Sequence, residues 1–272
     1  MLIWSRAGRA AVLGVTALVV LVLYAAPLAI IVLAAFAGQW NGVWPSQMGL
    51  GNFTAVFQGA PGEAVWASLV TGLAASAVAL VSGTAAALAL RGGRGIGRRA
   101  LDLLFFLPSA VPSVSVGLAL LVAFSRPPVL LNGTALIVVI AHFVIVSAFA
   151  FGAVSAGLMQ LPRDVEQMAE SLGASAGYRL RRVTLPLLLP YLAAAFGLSV
   201  ALSMGELGAT SMLYPPGWVT MPVSIFALTD RGDVFEGSAL TVILIAATLV
   251  HLALVQLATR GGRAGGRRSG TA

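Results

Sequence analysis

The stretch VEQMAESLGASAGYRLRRVTLP, Val165 to Pro186, sets charges of both signs among apolar residues in a chain that is otherwise mostly leucine, valine and alanine. Read from Leu161, it has helical periodicity. Leu161, Val165, Met168 and Leu172 fall at i, i+4, i+7 and i+11, one apolar stripe, while Arg163, Asp164, Glu166, Gln167 and Glu170 take the other faces. Pro162 suits a first turn, where its missing N–H costs nothing. Gly173 supplies a left-handed residue to stop the helix. Ser175 can cap a second short helix, which runs through Arg179, Arg181 and Arg182 to Pro186. The segment reads as helix–glycine–helix, an amphipathic element lying on a membrane face.

The surrounding composition supplies the membrane. Of 272 residues, 59% are hydrophobic and 9% charged, where a soluble domain carries about 25% charged. Six apolar runs, about 11–36, 64–90, 101–124, 134–158, 187–213 and 237–258, are long enough to cross roughly 30 Å of hydrocarbon. The fold class expected is an all-α integral membrane protein in one domain, with a loop at 159–186 and a disordered tail at 259–272. Arg6 and Arg9 precede the first run as in a signal peptide, but that run exceeds the roughly 7–15 residues of a signal h-region.

All 16 basic residues are arginines, and they orient the chain. With both termini cytoplasmic, the inner segments hold 14 and the outer segments only Arg126 and Arg231. That bias places Val165–Pro186 in the cytoplasm. The arginines therefore serve topology and lipid headgroups rather than nucleic acid. With no lysine the chain lacks the residue a P-loop needs for nucleotide phosphates, so no enzyme activity on ATP is expected of it. Cysteine is absent too, and His142 and His251 stand alone in spans four and six, so neither is expected to hold a metal. Each is expected as a buried, hydrogen-bonded neutral imidazole.

Span five carries Ser199, Ser203, Glu206 and Thr210 at i, i+4, i+7 and i+11. A carboxylate facing lipid costs roughly 2.5 kcal/mol or more, so the stripe should face the bundle interior or a water-filled path. Hydrogen bonding to a neighbouring span and lining of a path both fit it. In span three, Pro108 and Pro112 bend the helix, and Ser109, Ser113 and Gly117 form a small-residue stripe. Asp102 follows Arg98 by four residues and is expected to pair with it. On the outer side, Pro215 and Pro216 break span five, Trp218 reads as an interfacial anchor, and Asp230, Arg231, Asp233 and Glu236 cluster at the mouth.

The polar segment resembles the cytoplasmic loop of permease subunits of type I ATP-binding-cassette importers, which has the form E-A-A-x-x-x-G with a V-x-L-P-like ending. Gln167, Met168 and Ala169 stand where E-A-A is usual, Gly173 holds the glycine, and Val183, Leu185 and Pro186 match the ending. Gln167 departs from the usual glutamate, and Leu180 from a common aromatic. The six-span plan and the loop's place between spans four and five extend the likeness along most of the chain. The segment Met212–Leu240 also resembles that of permeases in 2-aminoethylphosphonate importers.

The resemblance implies a coupling helix, with Gln167, Ala169, Glu170, Ser171, Gly173, Ala174 and Ser175 meeting a separate ATPase. It implies a translocation path bordered by spans three and five, including Ser109, Ser113, Ser199, Ser203, Glu206 and Thr210. Its partners would be ATPase subunits that bind the ATP, a second permease, identical or paralogous, and an extracytoplasmic binding protein at the outer acidic cluster. The cargo would be a small solute such as an organophosphonate, carried across a bacterial inner membrane. An ion-coupled secondary carrier using Glu206 as its proton site is the alternative. No H-E-x-x-H and no paired membrane aspartates support an intramembrane enzyme.

Overall fold

The computed structural model describes residues 5–91 and 95–266, with the side chains of residues 98, 163 and 260–266 left aside. Helices dominate: α1 Arg6–Phe36, α2 Gly51–Gln58, α3 Ala60–Ala89, α4 Ile96–Ala110, α5 Ser113–Ala123, α6 Ala135–Gln160, α7 Arg163–Ser171, α8 Ala176–Met204, α9 Gly208–Leu213, α10 Met221–Asp230 and α11 Val234–Gly266. Among the described residues the β-structure is a single isolated bridge, Gln39 to Ser46. Helices α1, α3, α6, α8 and α11 are each long and apolar enough to cross a membrane, and the α4–α5 pair would make a sixth crossing.

That sixth crossing corrects the expectation of one bent helix over 101–124. The pair is bent by 106°. Pro112 has no N–H to donate and pushes the residue before it out of the helical region. Val111 accordingly lies at φ −102°, ψ 133°, and α5 restarts behind Pro112. Alone, the 11 residues of α5 span about 16 Å.

Span five departs from expectation at both ends. The second short helix expected after Ser175 has no separate end. It passes through a wide π-helical turn at Leu180–Thr184 straight into the span, so Pro186 does not open a new helix. At the other end α8 stops at Met204, and α9 resumes at Gly208. The expected continuous helix over 187–213 is thus broken eight residues or more before Pro215.

The chain forms two compact units. One comprises residues up to Gly62 with Ser224–Ile245. Within it Asn52 Nδ2 donates to the carbonyls of Ala35 (3.0 Å) and Ala37 (2.9 Å), tying α2 to the end of α1. Phe36 and Phe53 pack beside that tie, 4.9 Å between centroids.

The other unit comprises Glu63–Val223 and the residues after Ile245. Its apolar core joins α3, α6 and α8 through Ala87, Phe151, Val154, Leu158, Leu188 and Ala195. A second cluster joins α6 and α9 through Ile137, Val138, Ala141, Ala209 and Leu213. α5 crosses α9 at contact distance because Gly117 has no side chain. A Cβ there would lie 2.7 Å from both Cα and O of Ala209. The tail expected to be disordered over 259–272 instead continues α11 as far as Gly266, and residues 267–272 are not described.

Candidate functional site

The break in span five gathers the polar stripe. At the end of α8, Ser203 Oγ lies 2.6 Å from His142 Nδ1, and on α9 Thr210 Oγ1 lies 2.7 Å from His142 Nε2. His142 on α6 thereby bridges both halves of the broken span. Thr210 also reaches the Glu206 carbonyl at 3.4 Å. If its proton goes there, His142 Nε2–H donates to Thr210, and Nδ1 accepts from Ser203. Both ring nitrogens are partnered and the ring is buried, the hydrogen-bonded setting expected of His142. All three side chains are buried, His142 at 2% exposure and Thr210 at 0%.

Glu206 sits in the break rather than on a helical stripe. Its Oε1 accepts the Ala209 backbone N–H at 2.6 Å, satisfying one of the orphan donors at the start of α9. Ser199 is buried one turn deeper in α8, its hydroxyl without a partner among the described residues. Of the span-three residues, Ser113 lies at α9, where a Cβ on Gly208 would meet its Oγ at 2.3 Å. Ser109 is on the far side of the 106° bend, exposed, its hydroxyl donating to the Phe106 carbonyl. The bend therefore dissolves the expected Ser109–Ser113–Gly117 stripe.

The segment after α9 closes on the same unit. Trp218, expected as an interfacial anchor, is packed against the α6–α9 cluster with its indole N–H on Thr71 Oγ1 at 2.9 Å. The Met221 N–H donates to Ser68 Oγ at 2.7 Å. His251 departs from its expected hydrogen bond. Its ring meets Phe196 edge-on at 5.6 Å, and its buried Nε2 has no partner among the described residues. The Asp102–Arg98 pair falls on a side chain outside the description. Asp230, Arg231 and Asp233 are exposed and Glu236 half-buried, in the other unit.

The elbow formed by α7 and the start of α8 is the second polar region. Gly173 stands at φ +85°, and Ser175 Oγ accepts from the Tyr178 N–H at 3.4 Å, capping α8. Of the apolar stripe, Leu161 packs against the α3–α6–α8 core while the residues that follow turn outward. Met168 is 62% and Leu172 89% exposed. Ala169, Leu172, Gly173, Ala174, Ser175 and Tyr178 line an open hollow of about 580 Å³. Gln167 is exposed, its carbonyl accepting from Ser171 Oγ at 2.9 Å, and Glu170 pairs with Arg179 across the elbow.

Glu166 is the elbow's enclosed acid. Its Oε1 accepts from Arg91 Nη1 and from Thr184 Oγ1, both at 2.5 Å. Partial burial raises its carboxyl. The hydrogen bonds from Thr184 and Arg91, with the charges of Arg91 and Arg179, outweigh that and hold it below the usual glutamate value. Arg91 also faces a cavity of about 610 Å³ lined by Asp102, Phe106, Phe151, Ser155 and Met159 among others. Neither Arg91 nor Thr184 is marked by local sequence pattern.

Five long apolar helices, a bent pair and a buried polar cluster at a helix break define a multi-span membrane protein. Residues 79–260 match the family described as binding-protein-dependent transport system inner membrane component, and the chain belongs to that family. It is 52% identical over 264 residues to PhnV of Salmonella typhimurium, provisionally named a 2-aminoethylphosphonate transport system permease protein, covering 97% of this chain and 100% of that one. The putrescine transport system permease protein PotI of Escherichia coli K12 is 30% identical over 190 residues, covering 68% of each chain.

The fold matches a bacterial alginate ABC transporter solved with its pentasaccharide-bound periplasmic protein, at TM-score 0.72, 18% identity and 90% and 91% coverage. It also matches the MetNI methionine ABC transporter at 0.60, 19% identity and 73% and 94% coverage. Membership of the transport family displaces the secondary-carrier alternative and agrees with inner-membrane localisation.

Proposed function

We propose that the chain is the permease subunit of an ATP-driven importer of 2-aminoethylphosphonate or a close organophosphonate. It works as a dimer, with itself or a paralogue, on two ATPase subunits that bind and hydrolyse the ATP. An extracytoplasmic binding protein delivers the solute at the surface around Asp230, Arg231, Asp233 and Glu236. Both termini and the α7 elbow face the cytoplasm, as the arginine distribution requires. The cargo follows the name of the 52%-identical relative.

The observation that carries this reading is the exposed apolar stripe on α7. A helix that turns Met168 and Leu172 outward at an aqueous face needs a covering partner. The hollow beside them gives a partner's side chains a place to enter. Gln167, Ala169, Glu170, Ser171, Gly173, Ala174 and Ser175 form the rim of that contact. ATPase closure pushes the elbow, and the broken span carries the movement to a path bordered by Ser109, Ser113, Ser199, Ser203, Glu206 and Thr210.

The test is uptake of labelled 2-aminoethylphosphonate into vesicles holding the permease, ATPase and binding protein. We expect uptake to require ATP and both partners, and Leu172→Asp to abolish ATPase co-purification while the permease still inserts. Uptake driven by a pH gradient through this chain alone would overturn the proposal.

A further inference from the structure

The elbow contains two acid–base pairs of different reach. Glu170 pairs with Arg179 in the first turn of α8, so that pair ties α7 to α8 and does not reach α3. Glu166 reaches out. Its single oxygen Oε1 takes the guanidinium of Arg91, which follows the end of α3, and the hydroxyl of Thr184, in the wide turn where α8 enters its span. Three elements, 75 and 18 residues apart along the chain, meet at one atom. The enclosure is substantial, with side-chain exposures of 19% for Arg91 and 23% for Glu166.

Apart from these two pairs, α7 hangs between two flexible links. It is nine residues long, entered through extended backbone at Leu161 and Pro162 and left through Gly173 at φ +85°. A short helix between two such links can tilt without carrying its neighbours. Charge-assisted hydrogen bonds from two directions remove that freedom.

We propose that Glu166 is the positioning residue that passes displacement of α7 to α3 and α8, clamping the elbow and two spans into one moving body. The exposed Gln167, at the place where related loops carry glutamate, does not have this reach. The inference rests on the ATPase-driven import described above, and concerns how force leaves α7 rather than how the ATPase grips it.

The test measures uptake and ATP hydrolysis together in the reconstituted complex. Glu166→Gln should keep ATPase co-purification and hydrolysis within about twofold while uptake per ATP falls about tenfold, since the charge-assisted bonds go and the outer face stays. Thr184→Val should reproduce the loss. Thr184 is buried, so no partner touches it. Thr184→Ser should restore coupling, and the Glu166→Gln/Thr184→Val double variant should be no worse than either single one.

Wild-type uptake per ATP in both single variants overturns the clamp alone. So does lost ATPase co-purification in Glu166→Gln with Thr184→Val unaffected, because Glu166 would then be a docking contact. A wild-type complex that takes up nothing with ATP overturns the import reading, and the clamp with it.

Discussion

The polar cluster at the break in span five and the clamp at the elbow solve one problem, holding helices by polar contacts, with opposite chemistry. At the break His142 bridges the hydroxyls of Ser203 and Thr210, all three buried, and Glu206 caps α9 beside them. At the elbow a carboxylate meets a guanidinium with about a fifth of each exposed. Ion pairs withdrawn from water lose in desolvation what they gain in attraction, and a charge at membrane depth is costlier still. The membrane-embedded joint therefore uses hydroxyls and an imidazole, and the joint at the aqueous end uses charge. A fully satisfied buried network is stiff.

The largest effect should come from breaking the neutral joint. His142→Leu leaves the Ser203 hydroxyl without the imidazole that holds it and removes the bridge to Thr210. Each buried polar group left unsatisfied costs about 1–3 kcal/mol. We expect a lower unfolding temperature in detergent and reduced membrane yield, with His142→Gln partly restoring both. Wild-type thermal stability in His142→Leu would show that the two halves of span five are held by apolar packing alone.

Next in size is a contrast between two glycines. An added methyl at Gly117 would press on the Ala209 backbone at 2.7 Å, beside the neutral joint. Gly117→Ala should cost about 1–3 kcal/mol, the usual range for overpacking. At the elbow, Gly177 lies in a helix with nothing within 4 Å of an added Cβ. Gly177→Ala should be neutral or slightly stabilising, by up to about 1 kcal/mol. Equal stabilities by thermal unfolding would erase the distinction between a packed joint and an open one.

Gly173→Val should act on movement more than on stability. Its φ of +85° costs a side-chain-bearing residue about 1–2 kcal/mol, with no clash to add, since nothing lies within 4 Å. The variant should insert normally and lose uptake per ATP. Normal uptake would show that the left-handed turn is dispensable to the elbow.

Much of this was legible from the chain because the signals are local. Apolar runs, the α7 period, Gly173 and the Ser175 cap each report on a few neighbouring residues. Pro112 announced a break but not 106°, since proline removes a hydrogen bond without setting where the chain goes next. The break at Gly205–Leu207 was hidden by a helical stripe that continues through Glu206. Two glycines within four residues, Gly205 and Gly208, were the contrary signal. The bridges themselves were out of reach. His142 to Thr210 spans 68 residues and Arg91 to Glu166 spans 75, and such pairing depends on helix register that a single chain's periodicity does not supply.

The smallest effect separates the two joints by pH. Glu166 is held below the usual glutamate value, so its folded form binds a proton less readily than the unfolded chain. The sign follows: the clamp's contribution is complete above the unfolded glutamate pKa, near 4.3, and is lost as pH falls through the lower folded value. Hydrogen exchange of the α7 amides, corrected for the intrinsic rate, should thus stay level from neutral pH down to about the unfolded glutamate pKa and accelerate as pH falls from there through the lower folded value. Glu166→Gln should show the faster exchange throughout, with no step. A wild-type step above the ordinary glutamate range would mean that burial, not Arg91 and Thr184, governs the carboxyl. The elbow would then be held by packing, and the division between a half-exposed, charged joint and a buried one at the break in span five would fall.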